Sequence, residues 1–362
     1  MRIYAALKAA KKRGAKVKIL YDGKSQGEQN EEALTGSGLA ANVKARTKAG
    51  NFAHNKFLLF RNNGKSAQVW TGSTNLSENG LFGHSNNAHI VRDADIAETY
   101  FNFWKILQKD QTKKPTAEQA QELTPAPPDK FSKGVISVFS PRRDLDALDW
   151  YAEIAGNAKR ALFMTFAFGM NERFVKVYDQ DDKVLRFALM EKKGNGQTIK
   201  EQAAEIDRIR KLPNTTIAVG NKVEMNRFDQ WLQETDKATD EAHVLFVHTK
   251  YMLVDPLGDE PMIVVGSANF SKASTDTNDE NMLVIKGEKS VADIYLGEFM
   301  RMFSHYAYRE SRKFKKNSTQ AEVLKRKYLA PSAQWIDGDG TSSSYFGEAS
   351  DRALRRKYFS GQ

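Results

Sequence analysis

The sequence predicts an α/β protein made of two similar halves. Strand-like apolar runs alternate with amphipathic stretches of helical spacing, which is the pattern of an α/β sheet rather than a β-sandwich. One set of short motifs occurs twice, and 362 residues are too many for one ordinary hydrophobic core. Apolar residues make up 40% of the chain and charged residues 28%, a balance that excludes a largely disordered or fibrous protein.

The first predicted domain covers residues 1–109. Apolar residues recur at helical spacing over residues 4–13, which end in a basic cluster before Gly14, and again over residues 96–107. Short apolar runs between these helices predict strands at residues 17–21, 42–47, 56–60, 69–71 and 89–91.

A change of composition predicts a linker over residues 110–133. Four of the nine prolines fall there among Lys, Thr, Glu and Gln, so we expect a linker with one helical turn inside. The second domain, residues 134–311, has a predicted helix over residues 199–212. Its predicted strands are residues 162–168, 184–190, 216–219, 244–247, 251–254, 262–265 and 282–285.

The C-terminal extension, residues 312–362, is basic but contains aromatic residues. We expect these aromatics to dock on the domain rather than remain in solvent. They are Tyr328, Trp335, Tyr345 and Phe346.

The charge balance points to a polyanionic partner. Lysine and arginine number 55 against 45 aspartates and glutamates, a net charge of +10 that suits nucleic acid or an acidic lipid surface. The chain has no cysteine, which excludes disulfides, thiolate zinc sites and a cysteine nucleophile. No stretch approaches 18 apolar residues, so no transmembrane segment is predicted.

The strongest sequence signal is an internal repeat. His54-x-Lys56 precedes Gly-Ser-Thr-Asn at residues 72–75, and His248-x-Lys250 precedes Gly-Ser-Ala-Asn at residues 266–269. In each copy the glycine lies 18 positions after the histidine, and an offset of 194 residues maps one copy onto the other without insertion. A repeat held in register over this length predicts two equivalent structural units.

Each copy carries residue types that suit phosphoryl chemistry. Side chains alternate along an extended segment, so a histidine and a lysine two residues apart share one face. An imidazole, a fixed positive charge and the neutral groups of a Gly-Ser-x-Asn turn can stabilise charge on phosphoryl oxygens. If the two copies meet across a pseudo-dyad, one histidine can attack phosphorus while the other protonates the leaving oxygen.

These motifs resemble the signature of the phospholipase D superfamily, which is His-x-Lys, four residues, Asp, and then Gly-Ser-x-Asn. The second copy matches it, with Asp255 in place and Glu280 at the position of the family's histidine-orienting carboxylate. The first copy departs at Arg61, which replaces the aspartate, and at Asn86, which replaces the orienting acid. The resemblance covers about residues 1–310 and implies two α/β/α sandwich domains related by pseudo-twofold symmetry. It also implies a monomer with an intrachain active site that uses no metal or other cofactor.

The difference between Asn86 and Glu280 predicts a role for each histidine. We expect Glu280 to face His248, raise its pKa and make it the general acid. We expect Asn86 to face His54, which then stays unprotonated and carries a phosphohistidine intermediate. The predicted catalytic set is His54, Lys56, His248, Lys250 and Glu280, and the predicted substrate-binding set is Ser73, Asn75, Asn86, Ser267 and Asn269. His84 and His89 are expected to have structural or loop positions.

Three functions remain open. The first is a phospholipase D-type hydrolase that cleaves phospholipid phosphodiester bonds, with peripheral membrane contact. The second is a metal-independent nuclease or DNA-repair phosphodiesterase, which the basic balance favours. The third is an inactive module that retains phosphate binding, because the first copy has lost two acids.

The first half is predicted to lack its opening strand. In the second half a hydrophobic strand at residues 162–168 comes first, and the offset of 194 places its counterpart ahead of Met1. Either another segment fills this place or the gene start is truncated. The chain as given has no apolar signal region, so we expect a cytoplasmic protein, unless a longer chain precedes Met1.

Overall fold

The computed structural model describes residues 2–39, 42–129, 131–191, 199–220, 247–311 and 351–361, and the chain forms two compact units. The first unit comprises Met1–Glu153, His248–Tyr251 and Ile263–Lys286, whereas the second comprises Ile154–Val247, Met252–Met262 and Gly287–Gln362. The units therefore divide the chain differently from the predicted domains, because the segments that carry His248 and Glu280 belong with the first half.

Helices and short strands alternate along the chain, which confirms the predicted α/β class. The elements up to residue 156 are α1 (Arg2–Lys12), β1 (Ile19–Asp22), α2 (Gly27–Thr35), β2 (Val43–Arg46), β3 (Phe57–Asn62), β4 (Lys65–Gly72), α3 (Glu78–Phe82), β5 (Ala88–Val91), α4 (Ala94–Gln108), α5 (Lys113–Leu123), β6 (Gly134–Ser140) and α6 (Asp146–Gly156). The later elements are β7 (Ala161–Phe166), α7 (Glu172–Tyr178), β8 (Leu185–Met190), α8 (Ile199–Ile209), β9 (Thr215–Val219), β10 (Tyr251–Val254), β11 (Met262–Gly266), α9 (Lys272–Asp276), β12 (Glu280–Lys286), α10 (Lys289–Ser311) and α11 (Asp351–Phe359).

The first unit contains two small sheets from the first half of the sequence. Strands β1 and β2 are parallel, with Ile19 opposite Val43. Strands β3, β4 and β5 form a separate antiparallel sheet in that order. Helix α4 packs on one face of this sheet, where Phe57 contacts the ring of Tyr100 at 5.2 Å. The same unit also holds the antiparallel pair of β6 and β12.

The gap between these two small sheets agrees with the predicted loss of an opening strand. In the second unit β7 lies between β8, to which it is parallel, and β10, to which it is antiparallel. The offset of 194 maps β3 onto β10, yet among the described residues of the first half no strand joins β1 to β3. The first copy therefore consists of two separate sheets where the second copy has continuous pairing.

The second unit has an aromatic core beside its strands. Its strand order is β10-β7-β8-β9, and every residue of β7 and β8 is buried. The ring of Phe163 on β7 meets Phe299 of α10 at 5.3 Å and Tyr358 of α11 at 6.1 Å. Since Tyr358 is only 4% exposed, the C-terminal helix is part of this core.

Asp255 of the signature has a structural role in this unit. Its carboxylate oxygens accept the backbone N–H groups of Lys159, Arg160 and Ala161 at 2.7–2.9 Å, where the chain enters β7. Arg61, at the equivalent position of the first copy, instead lies 3.5 Å from the ring centroid of Phe101. Among the described residues, the first copy has no strand equivalent to β7 whose backbone N–H groups an aspartate at position 61 could accept.

The predicted linker contains a full helix, so the expectation of a single helical turn is wrong. Helix α5 spans 11 residues and packs against α4 and β6. Its contact face consists of small residues, since Thr116, Ala117 and Ala120 are buried. Such a face has low hydropathy, which is why the composition resembled a linker.

Other predictions fall partly or wholly outside the described residues. The strand predicted at residues 244–247 is described only at Val247, which is not in a strand. The aromatic residues Tyr328, Trp335, Tyr345 and Phe346 lie outside the described residues. Within the described ranges, no helix combines the length and the apolar character needed to cross a membrane.

Candidate active site

The two motif copies fold in the same way within the first unit. Helices α3 and α9 begin at residues 78 and 272, an offset of 194. Ser77 and Ser271 are their N-caps, and each hydroxyl accepts a backbone N–H three residues later, at 3.1 and 3.3 Å. The sequence repeat is therefore also a repeat of local structure.

Each motif glycine lets two backbone segments approach closely. A Cβ atom at Gly72 would overlap the carbonyl oxygen of Asn87, and one at Gly266 would overlap that of Asn281. The following serine N–H groups donate to these same carbonyls at 3.0 and 2.9 Å. Any larger residue would push the Gly-Ser turn away from the segment that carries the orienting side chain.

The motif serines hold the orienting residues of their own copy. Ser267 donates a hydrogen bond from Oγ to Glu280 Oε2 at 2.6 Å, and Ser73 donates one from Oγ to Asn86 Oδ1 at 2.9 Å. Both serines are fully buried. These bonds hold the side chains of Glu280 and Asn86 in place, and the substrate-binding role of the two serines and of Asn86 stays a prediction.

The histidine partners are crossed between the copies, so the predicted pairing is wrong. His54 Nδ1 lies 2.9 and 2.8 Å from the two oxygens of Glu280. His248 Nδ1 lies 2.7 Å from Asn86 Oδ1. Each histidine is therefore oriented by a residue of the other copy, and the carboxylate belongs to His54.

The backbone around residue 54 explains this crossing. Residues 51–54 run beside residues 277–279, with the His54 N–H donating to the Asp279 carbonyl at 2.9 Å. This contact brings His54 beside Glu280, which follows Asp279 in the chain. The Ser85 hydroxyl accepts the His248 N–H at 3.3 Å, which places His248 beside Asn86 in the corresponding way.

Both motif lysines are buried among these groups. The ammonium group of Lys56 donates to the carbonyl of His54, and that of Lys250 donates to the carbonyl of His248. Burial lowers the pKa of Lys56 to about 8 although Glu280 opposes this, and burial together with Lys56 lowers the pKa of Lys250 well below its ordinary value. Two cations so close together would be stabilised by a bound anion.

Burial and neighbouring charges also lower the pKa of both histidines. For His54, burial is the main cause, and Glu280 opposes it by raising the pKa. For His248, burial and the charges of Lys250 and Lys56 all lower the pKa, and His84 and His54 add to the effect. The imidazoles therefore differ in electrostatic environment: His54 has a negative partner, whereas the charges that most affect His248 are positive.

The two remaining motif residues, Asn75 and Asn269, are half-buried. The backbone N–H of Asn269 donates to Ser274 Oγ at 3.2 Å, and its side-chain Oδ1 is buried without a hydrogen bond among the described residues. Within the same part of the chain, no group of three or more His, Cys, Asp or Glu side chains is arranged to hold a metal ion.

A family model described as the phospholipase D-like domain of cardiolipin synthase matches residues 1–107 and 188–303, which is more than half of the chain. The chain belongs to the phospholipase D-like family. A comparison with curated proteins found no match.

Solved structures of several bacterial proteins are similar to this chain at low sequence identity. Phosphatidylserine synthase from Haemophilus influenzae matches with a TM-score of 0.53 and 11% identity, over 80% of this chain and 74% of that one. Polyphosphate kinase from Porphyromonas gingivalis matches with a TM-score of 0.51 and 13% identity, over 83% and 40%. The phospholipase D family member Nuc from Salmonella typhimurium matches 47% of this chain and 93% of that one, with 17% identity and a TM-score of 0.34.

His84 is a residue of this phospholipase D-like site that sequence reasoning missed. Its ring centroid lies 4.7 Å from that of His248, at an interplanar angle of 49°. The offset of 194 maps His84 onto Asn278, whose side-chain amide donates to Glu280 Oε1 at 3.1 Å. The register of the repeat was the signal that could have identified both positions.

A buried ion pair supports the carboxylate end of the site. Arg46 Nε donates to Asp279 Oδ2 at 2.9 Å, and both side chains are fully buried. Burial raises the pKa of Asp279 to about 6, against the opposing effect of Arg46. Because the Asp279 carbonyl also accepts the His54 N–H, this pair fixes the segment that positions His54 against Glu280.

Proposed function

We propose that this chain hydrolyses phospholipid phosphodiester bonds through a phosphohistidine intermediate on His54. Family membership supports the proposal, because it indicates phosphodiester-related chemistry. The observation that carries the proposal is the pairing of His54 with the buried carboxylate of Glu280, while His248 pairs with a neutral amide.

The first step follows from where charge develops. The neutral His54 attacks phosphorus through Nε2, a P–N bond forms, and the P–O bond to the leaving alcohol breaks. The attacking ring becomes positive, and Glu280 at Nδ1 stabilises that charge. The leaving oxygen takes a proton from His248, whose positive neighbours make its protonated form a strong acid.

Binding of the substrate anion prepares His248 for this role. In the free site its pKa is lowered by burial and then by Lys250 and Lys56. A phosphodiester anion between these lysines offsets their charge and so raises the pKa of His248. In the second step a water molecule gives a proton to His248 and attacks phosphorus, which releases His54 and the phosphate product.

Phospholipid is the substrate class that we favour. Both motif copies lie in one chain, and the matching family model is described as that of cardiolipin synthase. An aromatic ring also lies beside the site, since the ring of Phe52 meets that of His54 at 5.2 Å. The second candidate is a metal-independent nuclease, which the net charge of +10 favours.

The test offers the purified protein phosphatidylcholine micelles and plasmid DNA in separate assays that contain a chelator. We expect phospholipid turnover that His54→Ala abolishes, whereas His305→Asn, a matched change on α10, leaves turnover intact. Turnover of DNA alone would replace the first proposal with the second. Turnover of neither would favour an inactive phosphate-binding module.

A further inference from the structure

One face of the β3-β4-β5 sheet is apolar and open. Helix α4 covers the opposite face, where Val69 is fully buried. On the open face Leu58, Trp70 and Ile90 lie directly opposite one another across the three strands. Phe60 continues the row along β3 and is 46% exposed, and Ile90 is 52% exposed. We call these four residues the open row.

The equivalent positions in the second copy belong to the hydrophobic core. The offset of 194 maps the open row onto Met252, Val254, Val264 and Val284. Val254 is 7% exposed and the other three are fully buried. The open row therefore has the composition of a core face but remains in contact with solvent, which marks an interaction surface.

Positive charge is concentrated in the same half of the chain. Residues 1–110 contain 17 lysines and arginines against nine aspartates and glutamates, so they carry +8 of the net charge of +10. Lys65 and Arg92, at the ends of β4 and β5, are exposed. The basic stretch at the end of α1, Lys11 to Arg13, is also exposed. A partner of this half is expected to be anionic.

We propose that the open row is the surface by which this protein docks on a bilayer containing anionic phospholipid. Duplex DNA would match the charge but keeps the faces of its bases stacked inside the helix, away from Phe60 and Ile90, whereas acyl chains and anionic head groups match both features. The inference rests on the proposed lipid function, which it deepens.

The sheet connects this surface to the site. His54 and Lys56 immediately precede β3, and Gly72 at the end of β4 leads into Ser73. The catalytic groups therefore lie at one end of the strands that carry the open row. A bilayer held against that row presents its head groups next to the site.

The test measures vesicle binding by cosedimentation. The probe is vesicles of equal parts phosphatidylcholine and phosphatidylglycerol, compared with phosphatidylcholine alone. The double variant Phe60→Ser/Ile90→Ser is expected to weaken partitioning by about tenfold or more, since two apolar side chains no longer leave water. The matched control is Ile294→Ser on α10, where the isoleucine is 71% exposed, and it should bind like the parent protein.

Activity on a soluble substrate separates this inference from the proposed function. With a monomeric short-chain phosphatidylcholine the double variant should keep the parent rate, and it should lose rate only on vesicles. Unchanged vesicle binding of the double variant would overturn the docking surface while leaving the function intact. Vesicle binding that the variant weakens, without any phospholipid turnover, would support the surface and reject the function.

Two further outcomes would also overturn the docking surface. One is a dimer by light scattering that the double variant dissociates, with no vesicle binding, because a second copy would then cover the row. The other is plasmid binding that the double variant weakens while vesicles do not bind.

Discussion

The carboxylate of Glu280 is the group whose removal tests the mechanism most directly. Glu280→Gln keeps an oxygen that accepts the His54 Nδ1–H but removes the negative charge. The hydrogen bond is 2.8 Å, which puts the charge centres of an imidazolium and this carboxylate about 4 Å apart. With an effective dielectric constant of about 20, their attraction is about 4 kcal/mol.

The expected loss of rate follows from that attraction. The amide dipole of the introduced glutamine retains part of this attraction. Formation of the phosphohistidine should therefore slow by about 30- to 1000-fold, equivalent to a rise of about 2–4 kcal/mol in the activation free energy. The acidic limb of the pH profile should also move. Glu280 raises the pKa of His54, so its removal lowers that pKa further and the attacking ring stays neutral to lower pH.

The assay is single-turnover release of p-nitrophenolate from bis(p-nitrophenyl) phosphate. This leaving group departs without a proton, so the measured rate reports on His54 rather than on His248. Asp276→Asn is the matched control, since it removes a carboxylate of the same copy that contacts Lys272 rather than a histidine. A rate within threefold of the parent, or an acidic limb that does not shift, would refute the proposed role of Glu280.

Three further predictions test other parts of the site and the fold. His248→Asn should accumulate phosphate on His54 with the same activated diester, as detected by mass spectrometry, and phosphate found on residue 248 of the parent protein would reverse the assigned order. His84→Asn should raise the pKa of His248 and move the alkaline limb of the rate profile to higher pH, whereas a purely structural role would leave that limb unmoved. Asp255→Ala leaves three backbone N–H groups without their acceptor and should lower the free energy of unfolding in urea by about 2–4 kcal/mol. Arg61→Ala should lower it by less than about 1 kcal/mol, and equal losses for the two variants would contradict the structural account.

The repeat allowed much of the site to be predicted from sequence. An unchanged offset between the motifs implied equivalent backbones, and helices α3 and α9 keep that offset in the structure. The pairing of Glu280 with His54 was not accessible in this way. It depends on residues 51–54 running beside residues 277–279, a contact between distant segments that neither segment encodes alone.

The elements that were missed have weak sequence signals for physical reasons. Helix α5 buries alanine and threonine rather than large apolar side chains, so its periodicity is faint. Helices α3 and α9 have only five residues, too few to show a helical pattern. Such elements are stabilised by packing and caps rather than by their intrinsic propensity.

Of the two departures of the first copy, the one at Arg61 has a structural origin that separates it from catalysis. Asp255 holds the chain where it enters β7, and β7 pairs with β10. Among the described residues the first copy has no equivalent of β7, so an aspartate at position 61 would have no backbone N–H groups to accept. Arg61 also lies toward the far end of β3, whereas His54 and Lys56 immediately precede its first residue.

Of the two acids lost from the first copy, only the one at position 86 therefore concerns the chemistry. There the amide still accepts a hydrogen bond from His248, which is what a proton donor with positive neighbours requires. The sequence differences thus favour an active, asymmetric site over an inactive module.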